Sequence, residues 1–405
     1  MIVVPEYLSP GVYIEEVEIG AKPIEGVSTS TAGFVGFAER GPLNRPTLVT
    51  GFAGYQSIFG GYLPGSTGDA RWLAYAVEAF FNNGGRRAYV TRVAELDTTK
   101  PDYARPATGV DAIVMGTDNA EPSKRTGIHT LKNIKKISLV AVPGITTQAV
   151  QNLLITHCEE MKNRFAVLDP NSGMDLTGIQ DQRNLYDSEY AALYYPWVQV
   201  YDPLSRGPVN APPSGMICGI YARVDNERGV HKAPANETIN GALGMEKIPD
   251  GSLRIITKGQ QDILNLRGIN CIRSFPGRGI RVWGARTLSS NALWKYINVR
   301  RLFNYIEESI EEGTQWVVFE PNNEKLWARV RATITQFLTR VWKDGALMGT
   351  KPEEAFFVKC DRTTMTQDDI DNGRLICMIG IAPVQPAEFV IFRIAQWQGG
   401  SAVTE

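Results

Sequence analysis

The sequence predicts a mixed fold, α/β through its first two thirds and α+β in its last third, with an extended arm at each end. Three observations carry this. Strand and helix signals alternate from residue 32 to 223, with a βαβ signature between Ser138 and Asp169. After residue 270 the order changes to strands and long amphipathic helices in a mixed layer. Both chain ends carry β-capable runs, Val12-Tyr13-Ile14-Glu15-Glu16-Val17 after Pro10-Gly11, and Phe389-Val390-Ile391-Phe392-Arg393-Ile394.

Composition narrows the field. At 405 residues the chain is long enough for two or three domains with ample core. Its 43% hydrophobic and 21% charged residues are ordinary for a globular protein, and a net charge of −1 excludes whole-molecule steering toward nucleic acid or membrane. No apolar stretch reaches membrane-span length. The first residues, Met1-Ile2-Val3-Val4-Pro5-Glu6, lack a basic region and a long apolar run, so export by the general secretory route is not expected. Five cysteines, Cys158, Cys218, Cys271, Cys360 and Cys377, are odd in number and far apart. They read as small buried hydrophobes in a reducing compartment.

Gly33–Phe37 reads as a strand ended by Gly41-Pro42. Arg71–Phe81 reads as a helix, because Trp72, Tyr75, Ala76, Ala79 and Phe80 share one face. Asn82-Asn83-Gly84-Gly85 stops it and Ala88–Val93 is the next strand. Residues 94–127, rich in Pro, Asp, Thr and Lys, read as a surface excursion. A buried strand at Ser138–Pro143, a helix at Thr147–Asn163 and a strand at Phe165–Asp169 follow. Further strands are expected at Trp197–Tyr201, Cys271–Phe275 and Gly279–Trp283, with a helix from Pro212 to about Arg223. The last third adds helices at about Val299–Glu312 and Glu324–Lys343. Its strands are expected at Trp316–Phe319, Phe356–Cys360, Leu375–Ile381 and Phe389–Ile394.

Five of the six residues in that last run are large and apolar, on both faces of a would-be strand. Such a strand needs cover on both sides, from the chain's own sheet or from another subunit. Two such ends on one chain suggest a protein that joins copies of itself.

The chemistry of catalysis is not visible. His129, His157 and His231 share no metal spacing, and no HExxH or CxxC occurs, so no metal site and no cofactor are expected. His157 and Cys158 are adjacent on a helix and so point to different sides, unlike a nucleophile–base pair. The Gly116–Gly127 segment misses the GxxxxGK[ST] pattern and reads as a charged loop, and Gly277-Arg278-Gly279 reads as a turn feeding a strand. The carboxylate pairs Glu307-Glu308, Glu311-Glu312 and Asp368-Asp369 read as solvated faces or caps. No catalytic residue is assigned. The alternative of an α/β enzyme, a hydrolase or nucleotide-binding protein, lacks an identifiable site. A second alternative is a non-contractile lattice or adhesion module.

One helix carries a functional hint. At ~100° per residue, Leu326, Val330, Ile334, Phe337 and Val341 fall in one sector, and Lys325, Arg329, Gln336, Arg340 and Lys343 fall in another. One face packs on the domain and the other shows a basic stripe, which suits plain surface or docking on an acidic partner.

An ordered set of motifs resembles the contractile tail sheath proteins of phages, R-type bacteriocins and phage-like injection systems. It begins at Ser9-Pro10-Gly11-Val12-Tyr13-Ile14-Glu15-Glu16 and runs through Gly33-Phe34-Val35-Gly36, Arg40-Gly41-Pro42-Leu43-Asn44, Phe80–Gly85 and Tyr89–Val93. Pro212-Pro213-Ser214-Gly215, Tyr221-Ala222-Arg223-Val224-Asp225 and Arg228–Asn236 follow. Leu264-Asn265, Gly268-Ile269-Asn270, Val282–Leu288, Val299-Arg300-Arg301-Leu302, Phe319-Glu320-Pro321-Asn322 and Pro386–Val390 complete it. His231 departs from the pattern, standing where an aromatic such as Trp is expected. The short excursion at 94–127 is similar to compact sheaths of bacteriocins and injection systems rather than to large phage tails.

The resemblance implies a multi-domain sheath core. Its parts are an N-terminal linking arm (1–20), an N-terminal α/β part (21–95), a short surface insertion (96–127), a βαβ-containing middle domain (128–290), a C-terminal, tube-facing mixed sheet–helix domain (291–385) and a C-terminal linking strand and tail (386–405). It implies a structural subunit, not an enzyme, that polymerises helically around an inner tube and contracts to drive it through an envelope. Val12, Tyr13, Ile14, Glu15 and Val17 with Phe389, Val390, Ile391, Phe392 and Ile394 would link subunits by strand augmentation. Lys325, Arg329, Gln336, Arg340 and Lys343 would face the tube. The implied partners are further copies of the chain, the inner tube protein, baseplate and terminal cap proteins, with room for a sheath paralogue, and no nucleic acid or inserted membrane. Assembly would occur in the bacterial cytoplasm, in a particle later released or membrane-anchored.

Overall fold

The computed structural model describes residues 23–96, 109–391 and 393. Its first strands and helices are β1 (Ala32–Gly36), β2 (Thr47–Val49), α1 (Phe52–Phe59), α2 (Trp72–Asn82), β3 (Ala88–Arg92) and α3 (Val110–Met115). The middle of the chain gives β4 (Leu139–Ala141), α4 (Gln148–Met161), β5 (Phe165–Leu168), α5 (Leu176–Arg183), β6 (Ala191–Tyr195), β7 (Val198–Asp202), β8 (Gly207–Ala211) and α6 (Ser214–Arg228). Then come β9 (Glu237–Thr238), β10 (Gly244–Met245), α7 (Lys258–Leu266), β11 (Ile269–Phe275) and β12 (Gly279–Trp283). The last third holds α8 (Ile297–Gly313), α9 (Glu324–Lys343), α10 (Pro352–Ala355), β13 (Phe356–Lys359), α11 (Gln367–Asp371) and β14 (Met378–Ile381).

A nine-stranded sheet, ordered β2-β3-β1-β4-β5-β6-β11-β12-β9, forms the body. Its central strands β3, β1, β4, β5, β6 and β11 are parallel, and antiparallel strands close both edges. Parallel strands need helical crossovers and cover on both faces, so their side chains are apolar on both sides. Phe34, Phe165 and Val167 join the core under α2 and α6, while Val35, Ala166 and Leu168 join the one under α4, α5 and α7. The stretches 21–95 and 128–290 therefore contribute to one sheet rather than two. A second, smaller body packs α9 and α8 against the two-stranded β13–β14 sheet around a third core that includes Ile24, Leu302, Ile306, Leu326, Ile334 and Phe337.

Helix α2 is buried on nearly all sides because α6 presses on the face turned away from the sheet. A Cβ on Gly215 would lie 2.3 Å from the Ala76 carbonyl, and one on Gly219 2.5 Å from the Phe80 carbonyl. The backbones approach closely only because α6 carries glycine there.

Several expectations are corrected. Trp316–Phe319 is not a strand: a 3-10 turn spans Gln315–Val317, and Val318 and Phe319 are exposed, Phe319 with a positive φ of 69°. The run is apolar but covers nothing. In the 94–127 stretch, residues 97–108 lie outside the described residues, whereas α3 seats Val114 in the core, so that part is not merely surface. The strand expected from Leu375 starts only at Met378. Phe389, Val390, Ile391 and Arg393 carry no strand assignment.

His157 on α4 gives the body a pH dependence. Its Nε2 lies 2.8 Å from Arg164 Nη1 in a buried site, so the guanidinium donates to a neutral ring. Burial and then the Arg164 charge push its pKa down to about 3 from the ordinary 6.5. The unfolded chain takes up this proton near pH 6.5 and the folded chain resists it. The stabilisation is therefore complete above pH 6.5 and lost as pH falls toward 3. Between pH 7.5 and 5.5 the loss from this group is about 1.4 kcal/mol. Urea midpoints of the native chain should fall over that interval by more than those of His157→Gln; equal slopes would clear the imidazole of responsibility.

Candidate functional site

No constellation among the described residues resembles an active centre. Among the described residues no cluster of three or more His, Cys, Asp or Glu side chains is placed to hold a metal. Burial pushes the Cys158 thiol up, the reverse of what a nucleophile needs. The Ser214 hydroxyl donates to Asp169 at 2.7 Å, but Asp169 also accepts from the Gly144 and Ser214 amides and so ties β5 to the start of α6. Burial raises that carboxyl to about 6. A cleft of about 450 Å³ between α6, α8 and α9, lined by Thr29, Arg228, His231, Tyr305 and Asp344, brings no nucleophile to a base. The Gly116–Gly127 loop closes on itself through Thr117 and Thr126 and pairs Asp118 with Arg125 and Lys132, a charged loop and not a phosphate cradle.

The surfaces near the chain ends are different. Val12, Tyr13, Ile14, Glu15 and Val17 lie outside the described residues, as do Phe392 and Ile394. Where the described chain begins, it is fastened. Ile24 is buried in the smaller core and its carbonyl accepts from Arg340. The Val27 amide reaches Ser309 Oγ on α8, and the Thr29 hydroxyl donates to Asp225 at 2.7 Å. Arg301 of α8 grips the same Asp225 with both terminal nitrogens and stacks over Tyr221. The fragments Tyr221–Asp225 and Val299–Leu302 thus converge on one buried ion pair that joins the two bodies and the incoming chain.

The other end is rooted equally firmly. Glu388 accepts from Arg286 Nε at 2.8 Å and Nη2 at 2.6 Å, from Asn265 Nδ2 at 2.8 Å and from the Tyr296 hydroxyl at 3.1 Å. Burial alone would raise this carboxyl, and the Arg286 and Asn265 hydrogen bonds outweigh it and hold it below the usual range. Immediately beyond, Phe389, Val390 and Ile391 are 71%, 67% and 78% exposed. Glu388 is thus pinned, and the three apolar side chains that follow it are largely uncovered.

The β13–β14 sheet offers the complementary feature. Its two strands pair from Phe356↔Ile381 to Lys359↔Met378, and the outer side of β13 has no ladder partner among the described residues. Phe357 and Met378 are half exposed on its outer face. A two-stranded sheet is marginal alone, and unpaired edges invite another strand.

On α9 the apolar sector is buried as expected: Leu326, Val330, Ile334, Phe337 and Val341 are all in the core. The basic stripe is more divided. Lys325, Gln336 and Lys343 are exposed. Arg329 stacks 4.6 Å over Trp316, and Arg340 is engaged with Ile24. Between the stripe and Arg331 the helix shows Ala328, Ala332 and Thr335, all exposed.

Two family models match adjoining stretches of the chain: the phage tail sheath protein central domain over residues 126–288 and the phage tail sheath C-terminal domain over 289–396. A chain of the anti-feeding prophage baseplate is 34% identical, with 96% of this chain and 99% of that chain covered and a TM-score of 0.73. The helical sheath of the anti-feeding prophage in its contracted state is 33% identical over 96% and 99%, at 0.75. The PVC sheath complex of an extracellular contractile injection system, also contracted, is 30% identical over 98% and 99%, at 0.75.

The chain belongs to the phage tail sheath family. Its mixed fold is the sheath fold, and the enzyme alternative finds no support. Sequence reasoning missed what anchors each end. Asn265, Arg286 and Glu388 stood in three separate sheath motifs, and the signal for their convergence was a polar or charged side chain embedded in each fragment.

Proposed function

We propose that this sheath subunit polymerises helically around an inner tube by exchanging terminal strands with its neighbours, and that contraction of the lattice drives the tube through a target envelope. The supporting observation is the Glu388 root: it projects Phe389, Val390 and Ile391 uncovered, on a chain whose β13–β14 sheet has an open edge. A strand given by one copy and received by the next is a heterologous contact, which propagates into an open helix. The arm residues Val12, Tyr13, Ile14, Glu15 and Val17, with Phe392 and Ile394, belong to the same scheme. The role is structural rather than catalytic. The likeness to anti-feeding prophage and PVC chains favours a compact injection-system particle, assembled in the cytoplasm and completed by baseplate, cap and tube proteins. Negative-stain microscopy of the chain co-expressed with its tube protein tests this: tubes of two discrete widths are expected, and a single rigid form would overturn contraction.

The exposed face of α9 is the tube-docking face in this scheme. Lys325 and Lys343 are the clean probes, since neither makes an ion pair among the described residues, whereas Arg329 and Arg340 serve the fold. The double reversal Lys325→Glu, Lys343→Glu should leave the melting temperature unchanged and weaken assembly on the tube, most at low salt where complementary charge sets the encounter rate. Co-sedimentation with tube at two ionic strengths reads this out; equal pelleting of both proteins at both strengths would remove docking from this helix.

A further inference from the structure

Cys360 and Cys377 are far apart in sequence, and the β13–β14 ladder brings them together. The register Lys359↔Met378, continued by one step, sets Cys360 opposite Cys377. The Ala382 amide donates to the Ala355 carbonyl at 2.8 Å, which makes 355/382 a hydrogen-bonded pair. Counting in twos, 357/380 and 359/378 are also bonded pairs, and 356/381, 358/379 and 360/377 are the non-bonded positions. Side chains stand closest there, with Cα atoms about 4.5 Å apart, inside the range of about 4.4–6.8 Å that disulfides span. Both side chains lie on the core-facing side of the hairpin, with Val358 and Ile379. The two thiols interact directly with each other, and Cys377 is partly exposed while Cys360 is buried. Arg331 of α9 donates to the Cys360 carbonyl at 3.2 Å, and its charge favours the thiolate at both sulfurs.

We propose that Cys360 and Cys377 form a redox-active dithiol, which a small-molecule disulfide such as oxidised glutathione converts into a cross-strand disulfide stapling the hairpin. Cys377, the accessible partner, loses its proton to solvent and attacks one sulfur of oxidised glutathione. The glutathione S–S bond breaks, a Cys377–glutathione disulfide forms, and one glutathione thiolate leaves and is protonated. Cys360 then loses its proton and attacks the Cys377 sulfur; the Cys360–Cys377 bond forms and the second glutathione leaves. Two protein thiols are oxidised and one glutathione disulfide is reduced to two thiols. Burial pushes the Cys377 thiol up to about 12, so the reaction is slow at neutral pH and speeds about tenfold per pH unit as the thiolate fraction rises. Cys158, Cys218 and Cys271 are fully buried and serve as internal controls.

The test uses the reduced full chain, incubated with oxidised glutathione at pH 8, quenched with iodoacetamide and digested for mass spectrometry. The expected product is a peptide pair linked through Cys360 and Cys377, with the other three thiols unmodified until denaturation. Cys360→Ala should stop at a stable glutathione adduct on Cys377, and Cys377→Ala should take up no glutathione. Arg331→Gln should reach the same product several-fold more slowly. Amide exchange across Phe356–Lys359 should slow in the oxidised chain. The native measurement stands alone if a variant misfolds. Prolonged exposure that leaves both thiols open to iodoacetamide, or that links other cysteines instead, would overturn the proposal.

Discussion

A chain ending at Glu388 should fold and melt like the full protein and build no tubes. The first half of that expectation rests on exposure. Phe389, Val390 and Ile391 are 71%, 67% and 78% exposed, so the loss of these three removes little buried surface from the monomer. Glu388 stays, and with it the bidentate bond to Arg286. The second half rests on what these side chains gain from a neighbour. Fully covering a large apolar side chain contributes about 1.5–3 kcal/mol, and each strand hydrogen bond a net ~0.5–1.5 kcal/mol. Three such side chains and a short ladder together outweigh any single polar contact elsewhere on the surface. Part of that gain is spent on ordering the arm, so the surplus per junction is modest, and a lattice that repeats the junction depends on it. Thermal unfolding, sedimentation and microscopy of the truncated chain check both halves. Tubes built by the truncated chain would end strand exchange at this terminus; a lowered melting temperature would mean the segment belongs to its own body.

Glu388 itself separates rooting from presentation. Its replacement leaves the apolar run intact but strands the Arg286 guanidinium, whose side chain is 7% exposed. Arm residues that are present but unrooted then carry a larger ordering cost at each junction. Truncation and unrooting should therefore weaken assembly for different reasons, and only unrooting should also lower the melting temperature of the monomer.

The sequence displayed the parts of this molecule whose pattern is local. Helix α9 was legible to the residue because its apolar and polar positions alternate at helical period and Asn323 caps it. The β4–α4–β5 unit was legible because two short apolar runs flank one amphipathic stretch. Strand β6, which sits in the middle of the large sheet, was not. Ala191-Ala192-Leu193-Tyr194-Tyr195 is apolar on both faces, and a continuous apolar run has no period to distinguish strand from helix. The reverse error arose at Trp316–Phe319, where apolar residues end in a turn with Phe319 fully exposed. Burial there depends on what lies opposite, which local pattern does not encode. The same holds for the polar anchors. Asp225, Arg301 and Thr29 meet across sequence separations of 76 to 272 residues, and so do Asn265, Arg286 and Glu388 across separations of 21 to 123. All of them but Thr29 stood in sheath motifs, which marked them without giving their geometry.

The Asp225–Arg301 pair is where a single substitution should cost the fold most. The two side chains are 3% and 4% exposed, and two hydrogen bonds of 2.9 Å and 2.5 Å join them. Arg301 also donates to the Thr29 carbonyl at 3.0 Å and lies 4.7 Å from the centre of the Tyr221 ring. Arg301→Ala leaves the Asp225 carboxylate buried with, among the described residues, only the Thr29 hydroxyl to donate to it, a change worth about 3–5 kcal/mol of stability. Asp225→Ala strands the guanidinium instead and should cost a similar amount. Removing both partners costs less than the two single losses added, because neither charge is then left uncompensated. Urea unfolding of the four chains gives the coupling directly. Hydrogen exchange should show segment 24–31 loosening at Thr29 in either single variant, since each removes one of its two contacts, the Arg301 bond to its carbonyl or the bond from its hydroxyl to Asp225, while the Ile24 and Val27 contacts remain. Single losses below about 1 kcal/mol would place the pair among ordinary surface bridges, and the join between α6, α8 and the incoming chain would then rest on apolar packing alone.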